Sequence, residues 1–296
     1  SSSLRDFYPS EITMSLLIRN IQIPVELGLG ETVLKSYIAS TLGVPSSEIG
    51  DITIRKKSLD ARKKNQIKYV LQLEANLDDA KNFIKASNQH ISIATPLKSQ
   101  KPQDGIDFSG KRMQHRPVVI GTGPAGIFAA LVLAEAGQAP IVVERGEPVE
   151  NRLRTVGIFR RQSLFNSESN YCFGEGGAGT FSDGKLTCGR NHPLIRYLFE
   201  RWVEFGAPEN ILFDSHPHIG TDFLLVIAKR MRKHLENLGV DFMFSTKFEG
   251  FSSSPSARYK VELSSGVCLH TDHLIMAVGH SARDTYHMLL AKGVQI

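Results

Sequence analysis

With 296 residues, 41% of them hydrophobic and 22% charged, the chain has room for two domains and a substantial core. No apolar run approaches the ~20 residues that span a bilayer, and no signal-peptide core stands near the start, so a cytoplasmic protein is expected. The net charge of +5 is too small to predict nucleic-acid binding by itself. Cys172, Cys188 and Cys268 show no CxxC spacing, which argues against a zinc site and against an adjacent redox pair. Cys172 and Cys188 flank a glycine-rich loop and could pair across it, with two buried thiols as the favoured reading.

Residues 1–13 are polar and irregular and read as a disordered tail. A small module is expected over 14–95. Residues 16–23 read as a strand with Pro24 at its end, and 31–42 as a helix stopped by Gly43. Residues 51–54 and 66–75 alternate polar and apolar, as half-buried strands do. Residues 77–87 read as a second helix with Asn76 as N-cap. This βαββα order predicts a small α+β domain of ferredoxin-like type.

Between the two inner strands stand Arg55, Lys56, Lys57, Arg62, Lys63, Lys64 and Lys68 around the one acid Asp60. The run can dock phosphate or an acidic partner. The competing and favoured reading is a solvated hairpin connection. No aromatic residue interleaves with the charges of 55–68, so a stacking surface for single-stranded nucleic acid is not signalled. Residues 96–115 are polar, Pro/Gly-punctuated and apolar-poor, and read as a linker.

The second domain is expected over 116–296. An apolar strand at 118–120 runs into Gly121-Thr122-Gly123-Pro124-Ala125-Gly126, and an apolar helix follows to Gly137. Gly121 permits the tight turn, Gly123 lets backbone approach a pyrophosphate, and Gly126 lets helix and strand pack closely. A second strand at 141–143 ends at Glu144, 18 residues after Gly126, where an acid can accept hydrogen bonds from a ribose. A GxGxxG with strand, helix, second strand and acid in place predicts a Rossmann-like, doubly wound α/β domain binding a dinucleotide on the helix N-terminus. Further on, 194–205 reads as an amphipathic helix carrying the only tryptophan, Trp202. A longer helix follows over 223–238, capped by Thr221-Asp222. Short strands are expected at 241–244, 248–251, 259–263, 267–269 and 273–278.

A second apparent GxGxxG occurs at Gly174-Glu175-Gly176-Gly177-Ala178-Gly179, but no strand precedes it and no helix follows. It is therefore no second Rossmann site. Its exposed backbone N–H groups suit an anion or the face of a flat ring, and Phe173 and Phe181 on either side suggest an anchored loop.

Residues 170–186, Asn-Tyr-Cys-Phe-Gly-Glu-Gly-Gly-Ala-Gly-Thr-Phe-Ser-Asp-Gly-Lys-Leu, resemble the signature of a largely uncharacterised family of bacterial FAD-dependent dehydrogenases, also called NAD(FAD)-utilising dehydrogenases. Glu144-Arg145-Gly146, residues 218–222 and the run Lys-Lys-Ser-Leu-Asp-Ala-Arg-Lys-Lys at 56–64 fit the same family. The resemblance covers about 14–296. It implies non-covalent FAD in an extended pose, with NAD(P)H as a candidate electron donor. The pyrophosphate would lie over Gly121, Thr122, Gly123, Pro124, Ala125 and Gly126, with the adenosine ribose on Glu144 beside Arg145. The loop of Gly176, Gly177, Ala178, Gly179, Thr180, Ser182 and Asp183 would approach the middle or flavin end. The backbone of Phe248 would touch adenine, and Ala277-Val278-Gly279 resembles the turn that closes such a domain, with Val278 in place of the usual Thr.

In related flavoproteins a late glycine-rich segment meets the flavin end. None appears between Gly279 and Ile296, so the resemblance implies an incomplete FAD domain, the N-terminal half of a longer enzyme or a natural truncation. The leading expectation is a FAD-dependent oxidoreductase of unknown small-molecule substrate. The alternatives are a flavoprotein acting on RNA through the basic 55–68 segment and a non-catalytic dinucleotide-binding module. No catalytic acid or base is assigned. Asp183 and Lys185 are the local candidates, with a structural salt bridge as the competing reading for both.

Overall fold

The computed structural model describes residues 15–77, 90–95, 101–102, 113–187, 189 and 192–296. The expected tail, residues 78–87 of the expected second helix, most of the linker and Cys188 lie outside these residues. The chain divides into two units: 1–98 with 209–217, and 99–208 with 218–296.

In the first unit, β1 (Ser15–Pro24) leads through α1 (Glu31–Leu42) to β2 (Ile52–Asp60), β3 (Lys68–Asn76) and the short β4 (Ile91–Ile93). The sheet order is β2-β3-β1-β4 with every neighbouring pair antiparallel. β1 and β2 flank β3 and run parallel to each other, so α1 crosses between strands that are not neighbours.

The inward face of β1 is Leu16 and Ile18, then Ile21 and Ile23, a one-residue slip in the alternation. A β-bulge between Arg19 and Ile21, with Asn20 at φ 61°, absorbs the extra residue and keeps all four side chains in the core. They pack with Leu34 and Ile38 of α1 and Leu71, Leu73 and Ala75 of β3. α1 ends as expected at Gly43, whose φ of 72° is the left-handed cap that glycine takes at little cost.

The expected end of β2 at residue 54 is corrected. A bulge between Ile54 and Lys56 resets the alternation, and the strand continues to Asp60. Arg55, Lys56 and Lys57 therefore stand in the strand rather than in a hairpin connection. β2 is an edge strand, and 209–217 covers part of that edge. Lys57 N–H donates to the Phe213 carbonyl, Ser215 N–H donates to the Lys57 carbonyl, both at 2.8 Å, and Lys57 Nζ lies 2.8 Å from Asp214.

In the second unit, β5 (Val118–Ile120), α2 (Pro124–Glu135) and β6 (Ile141–Val143) form the expected βαβ start. α3 (Val149–Gln162), α4 (Pro193–Glu204) and α5 (Thr221–Asn237) precede β7 (Asp241–Met243). An antiparallel meander follows, β8 (Phe248–Ser252), β9 (Tyr259–Leu263) and β10 (Cys268–Thr271), and then β11 (Leu274–Met276) and α6 (Arg283–Ala291). The main sheet is parallel in the order β11-β5-β6-β7. Read from β7 this is 3-2-1-4, the strand order of a Rossmann-type half. Val118, Ile120 and Val143 of that sheet share a core with Phe248, Val261 and Leu263 of the meander. α2 is apolar on all sides and buries Ile127, Ala130, Leu131 and Ala134. Among the described residues no helix is long and apolar enough to cross a membrane.

Candidate functional site

The chain between β5 and α2 turns where only glycine fits. Gly121 has φ 103°, and a Cβ there would lie 2.4 Å from the Ala277 carbonyl oxygen. A Cβ on Gly126 would lie 2.0 Å from the Gly121 carbonyl oxygen, so α2 sits directly on the turn. Gly123 is the N-cap of α2, with no side-chain cap, and Pro124 takes a first-turn position. The positive end of α2 therefore meets the adjoining cleft without an internal side-chain acceptor.

The second glycine run faces this turn. Gly176 N–H donates to the Thr122 carbonyl at 3.0 Å, and a Cβ on Gly177 would lie 3.0 Å from the Gly123 Cα. The loop is anchored, as Phe173 and Phe181 suggest, but the principal anchor is Arg152 of α3. Its guanidinium is fully buried and donates to the carbonyls of Asn170, Tyr171, Gly174 and Glu175 at 2.6–3.2 Å, with the Phe181 ring 4.9 Å away. Burial lowers its pKa to about 10, against the pull of Glu144, Cys172 and Glu175, so it stays charged at neutral pH. The sequence reading missed both α3 and this role. The available signal was Arg152 standing between Val149 and Val156 at helical spacing.

Glu144 joins the two glycine segments. One carboxylate oxygen accepts from Thr122 N–H and Oγ1 at 2.9 and 2.7 Å, and the other from Gly146 and Gly174 N–H at 2.9 and 3.0 Å. Four donors meet this buried carboxylate, which therefore staples the two glycine segments together while also lining the adjoining cleft.

These segments border a cleft of about 370 Å³. Among the expected site residues it is lined by Gly121, Gly123, Pro124, Ala125, Glu144, Arg145, Gly177, Ala178, Gly179, Phe248, Ala277 and Gly279. Arg145 is not free there. It bonds Glu168 at 2.8 Å and Asp284 bidentately at 3.1 Å, and lies 4.1 Å from the Phe173 ring centre. Burial pulls the Asp284 carboxyl upward, but hydrogen bonds from Arg145 and Lys247 outweigh it and hold the group well below the usual carboxylate range. Cys172 also lines the cleft and is exposed, which corrects the expectation of a buried thiol.

Thr122, Gly176, Thr180 and Ser182 instead line a second cavity of about 210 Å³, which Pro124 and Gly179 share with the first. Gly126 is buried and lines neither cavity. Asp183 also lines neither and forms an exposed 3.5 Å ion pair with Lys185. In the first unit, three members of the basic run are paired: Arg55 with Glu74, Lys57 with Asp214, and Arg62 with Asp60. Lys56, Lys63 and Lys64 make no such pair among the described residues.

Comparison with known proteins bears on both units. Residues 116–155 match the model of a FAD-binding domain, and residues 15–76 match a domain of unknown function, DUF8436. An uncharacterized protein of Clostridium beijerinckii is 36% identical over 283 residues, covering 96% of this chain and 52% of that protein. The chain thus spans about half the length of that relative. Orsellinic acid synthase of Armillaria mellea is 25% identical over 184 residues, 54% of this chain and 8% of that one. Among solved structures, OTEMO in a FAD-bound form shares 17% identity at a TM-score of 0.35, over 57% of this chain and 26% of its own. L-amino acid deaminase from Proteus vulgaris shares 14% at 0.32, over 63% and 52%.

Proposed function

We propose that this chain holds FAD in the cleft of the second unit as part of a FAD-dependent oxidoreductase acting on a small molecule. The observation that carries the reading is the opposed pair Gly123 and Gly177 over the uncapped start of α2. There the two backbones approach closely, since a Cβ on Gly177 would lie 3.0 Å from the Gly123 Cα, and a pyrophosphate in the adjoining cleft would gain the amides and dipole of the helix. The match of 116–155 to a FAD-binding domain supports FAD over other dinucleotides. Ala125 would offer backbone N–H to the phosphates, and Thr246, Lys247 and Phe248 would border the adenine end. Gly177, Ala178 and Gly179 would face the middle of the cofactor. Glu144 would act by holding the two glycine segments together rather than by accepting from the ribose. When bound, the flavin supplies hydride or electron transfer, with reduced nicotinamide as donor in the dehydrogenase form of the reading.

The N-terminal unit is read as a ferredoxin-like module, supported by its β2-β3-β1-β4 order. The pairing of Arg55, Lys57 and Arg62 with acids favours a small-molecule substrate over nucleic acid. The test is purification without added cofactor, followed by visible absorbance, release of the ligand by denaturation, and anaerobic titration with NADH and NADPH. Flavin at about one per chain with reduction by either nucleotide is expected. A protein that neither carries FAD nor takes it up on titration refutes the reading.

A further inference from the structure

Glu144 and Arg145 follow β6 side by side. In dinucleotide folds an acid after this strand accompanies a free adenosine ribose, and a nearby arginine accommodates a ribose phosphate. The chain carries both, so their surroundings decide. Arg145 Nε donates to Glu168 Oε2 at 2.8 Å, and Nη1 and Nη2 donate to the two Asp284 oxygens at 3.1 Å. Lys247 is the other lysine or arginine lining the cleft, and its Nζ lies 2.7 Å from Asp284 Oδ2. Thr285 N–H donates to Asp284 Oδ1 at 2.9 Å and fixes that carboxylate at the start of α6. Both cations of the cleft are thus engaged, and the two carboxylates cancel their charge. A phosphate entering here would have to break a bidentate arginine–carboxylate pair and would then lie against the displaced carboxylate.

We propose that Asp284 sets the specificity of the cleft by holding Arg145 and Lys247, so that dinucleotides with free adenosine ribose hydroxyls are admitted and those with a ribose 2′-phosphate are refused. The inference rests on the reading of the cleft as a dinucleotide site and names the class which that site rejects. Asp284 is not among the residues lining the cleft and acts through the two cations that are, as a positioning residue. Glu168 supports it from another edge of the Arg145 guanidinium. FAD carries no 2′-phosphate and meets the condition. A 2′-phosphorylated nicotinamide donor would have to reach the flavin from outside this cleft.

The test compares ADP-ribose with 2′-phospho-ADP-ribose, which differ in that one group, by calorimetric titration of the flavin-free protein, with FAD titrated alongside. The parent should bind ADP-ribose at least about tenfold more tightly, because like charges brought together oppose the phosphate. Asp284→Asn keeps the shape of the side chain but releases the two cations, and should narrow that ratio by about tenfold or more, the worth of one hydrogen bond to a charged group. Glu168→Gln is the second variant should Asp284→Asn fail to fold, and should narrow the ratio in the same direction. A cleft that is merely loosened would lose affinity for both probes alike and keep the ratio. Equal binding of the two probes by the parent, or a ratio unchanged in the folded variant, overturns the proposal. If the parent binds neither FAD nor ADP-ribose, the dinucleotide reading fails and this proposal with it, so the two failures are distinguishable.

Discussion

Replacing Gly123 with Ala separates cofactor binding from folding. The position has an ordinary φ of −67°, and a Cβ placed there meets only the Gly177 Cα, at 3.8 Å. Alanine is a poorer N-cap than glycine by about 0.5–1 kcal/mol, but it also restricts the unfolded chain by about 0.4–1 kcal/mol. The two effects nearly cancel, and the melting temperature should move by only a degree or two. If FAD binds as proposed, the same methyl group would crowd the phosphate oxygens at the start of α2. Losing two charge-assisted hydrogen bonds costs at least about 3 kcal/mol, roughly a hundredfold in Kd. Titration of flavin-free protein with FAD, followed by quenching of flavin fluorescence, measures this directly, with a thermal melt run alongside. A variant that binds within about threefold of the parent at unchanged stability would show that no pyrophosphate lies over Gly123.

Gly126→Ala should fail differently: its Cβ would lie 2.0 Å from a backbone oxygen that cannot yield, so α2 must shift, at a cost of about 1–3 kcal/mol or more. A calorimetric melt should show the loss without any ligand present, and an unchanged melting temperature would contradict the packing described. Arg152→Met removes four hydrogen bonds to loop carbonyls and should destabilise by about 3 kcal/mol or more. Limited proteolysis should then cut within 163–187 before the rest of the chain, whereas parental cleavage kinetics would count against Arg152 as the anchor. For Glu175, the folded carboxyl keeps its proton up to about pH 7 against an ordinary value of 4.5. The native state therefore binds the extra proton between these values, and its stability falls as pH rises through them, by about 3 kcal/mol at most. Glu175→Gln should remove that slope in denaturant melts from pH 5 to 8, and an identical slope in the variant would assign it to other groups.

The βαβ start was legible because its determinants are local. Apolar runs at 118–120 and 141–143 suit strands buried on both faces, and Gly121 and Gly126 answer clashes within the turn and with its immediate surroundings. α3 was not legible. Its buried positions are Val149, Arg152 and Val156, and an arginine at the inward position hides the apolar stripe. The same holds for α6, where Thr285 and Leu289 are the buried positions among polar neighbours. β2 read short because the bulge after Ile54 shifts the alternation by one residue, and a shift of one reverses the face of every residue beyond it.

Taken alone, the amino-acid order determined that a dinucleotide-type turn exists and where it lies, since the positive φ at Gly121 and the contact of Gly126 with the Gly121 carbonyl are local to the turn. The approach of Ala277 to Gly121 comes from the tertiary fold. It also marked 174–179 as unusual without showing what that loop faces. Only the tertiary structure decided that Glu144 accepts from three backbone N–H groups and the Thr122 hydroxyl, that Arg152 holds the loop carbonyls, and that Glu175 lies among the residues around a second cavity. Those outcomes depend on hydrogen bonds between residues some 20–30 apart in the chain. Whether a buried charged group meets its partners is settled by how the segments pack, and no local pattern in the sequence carries that information.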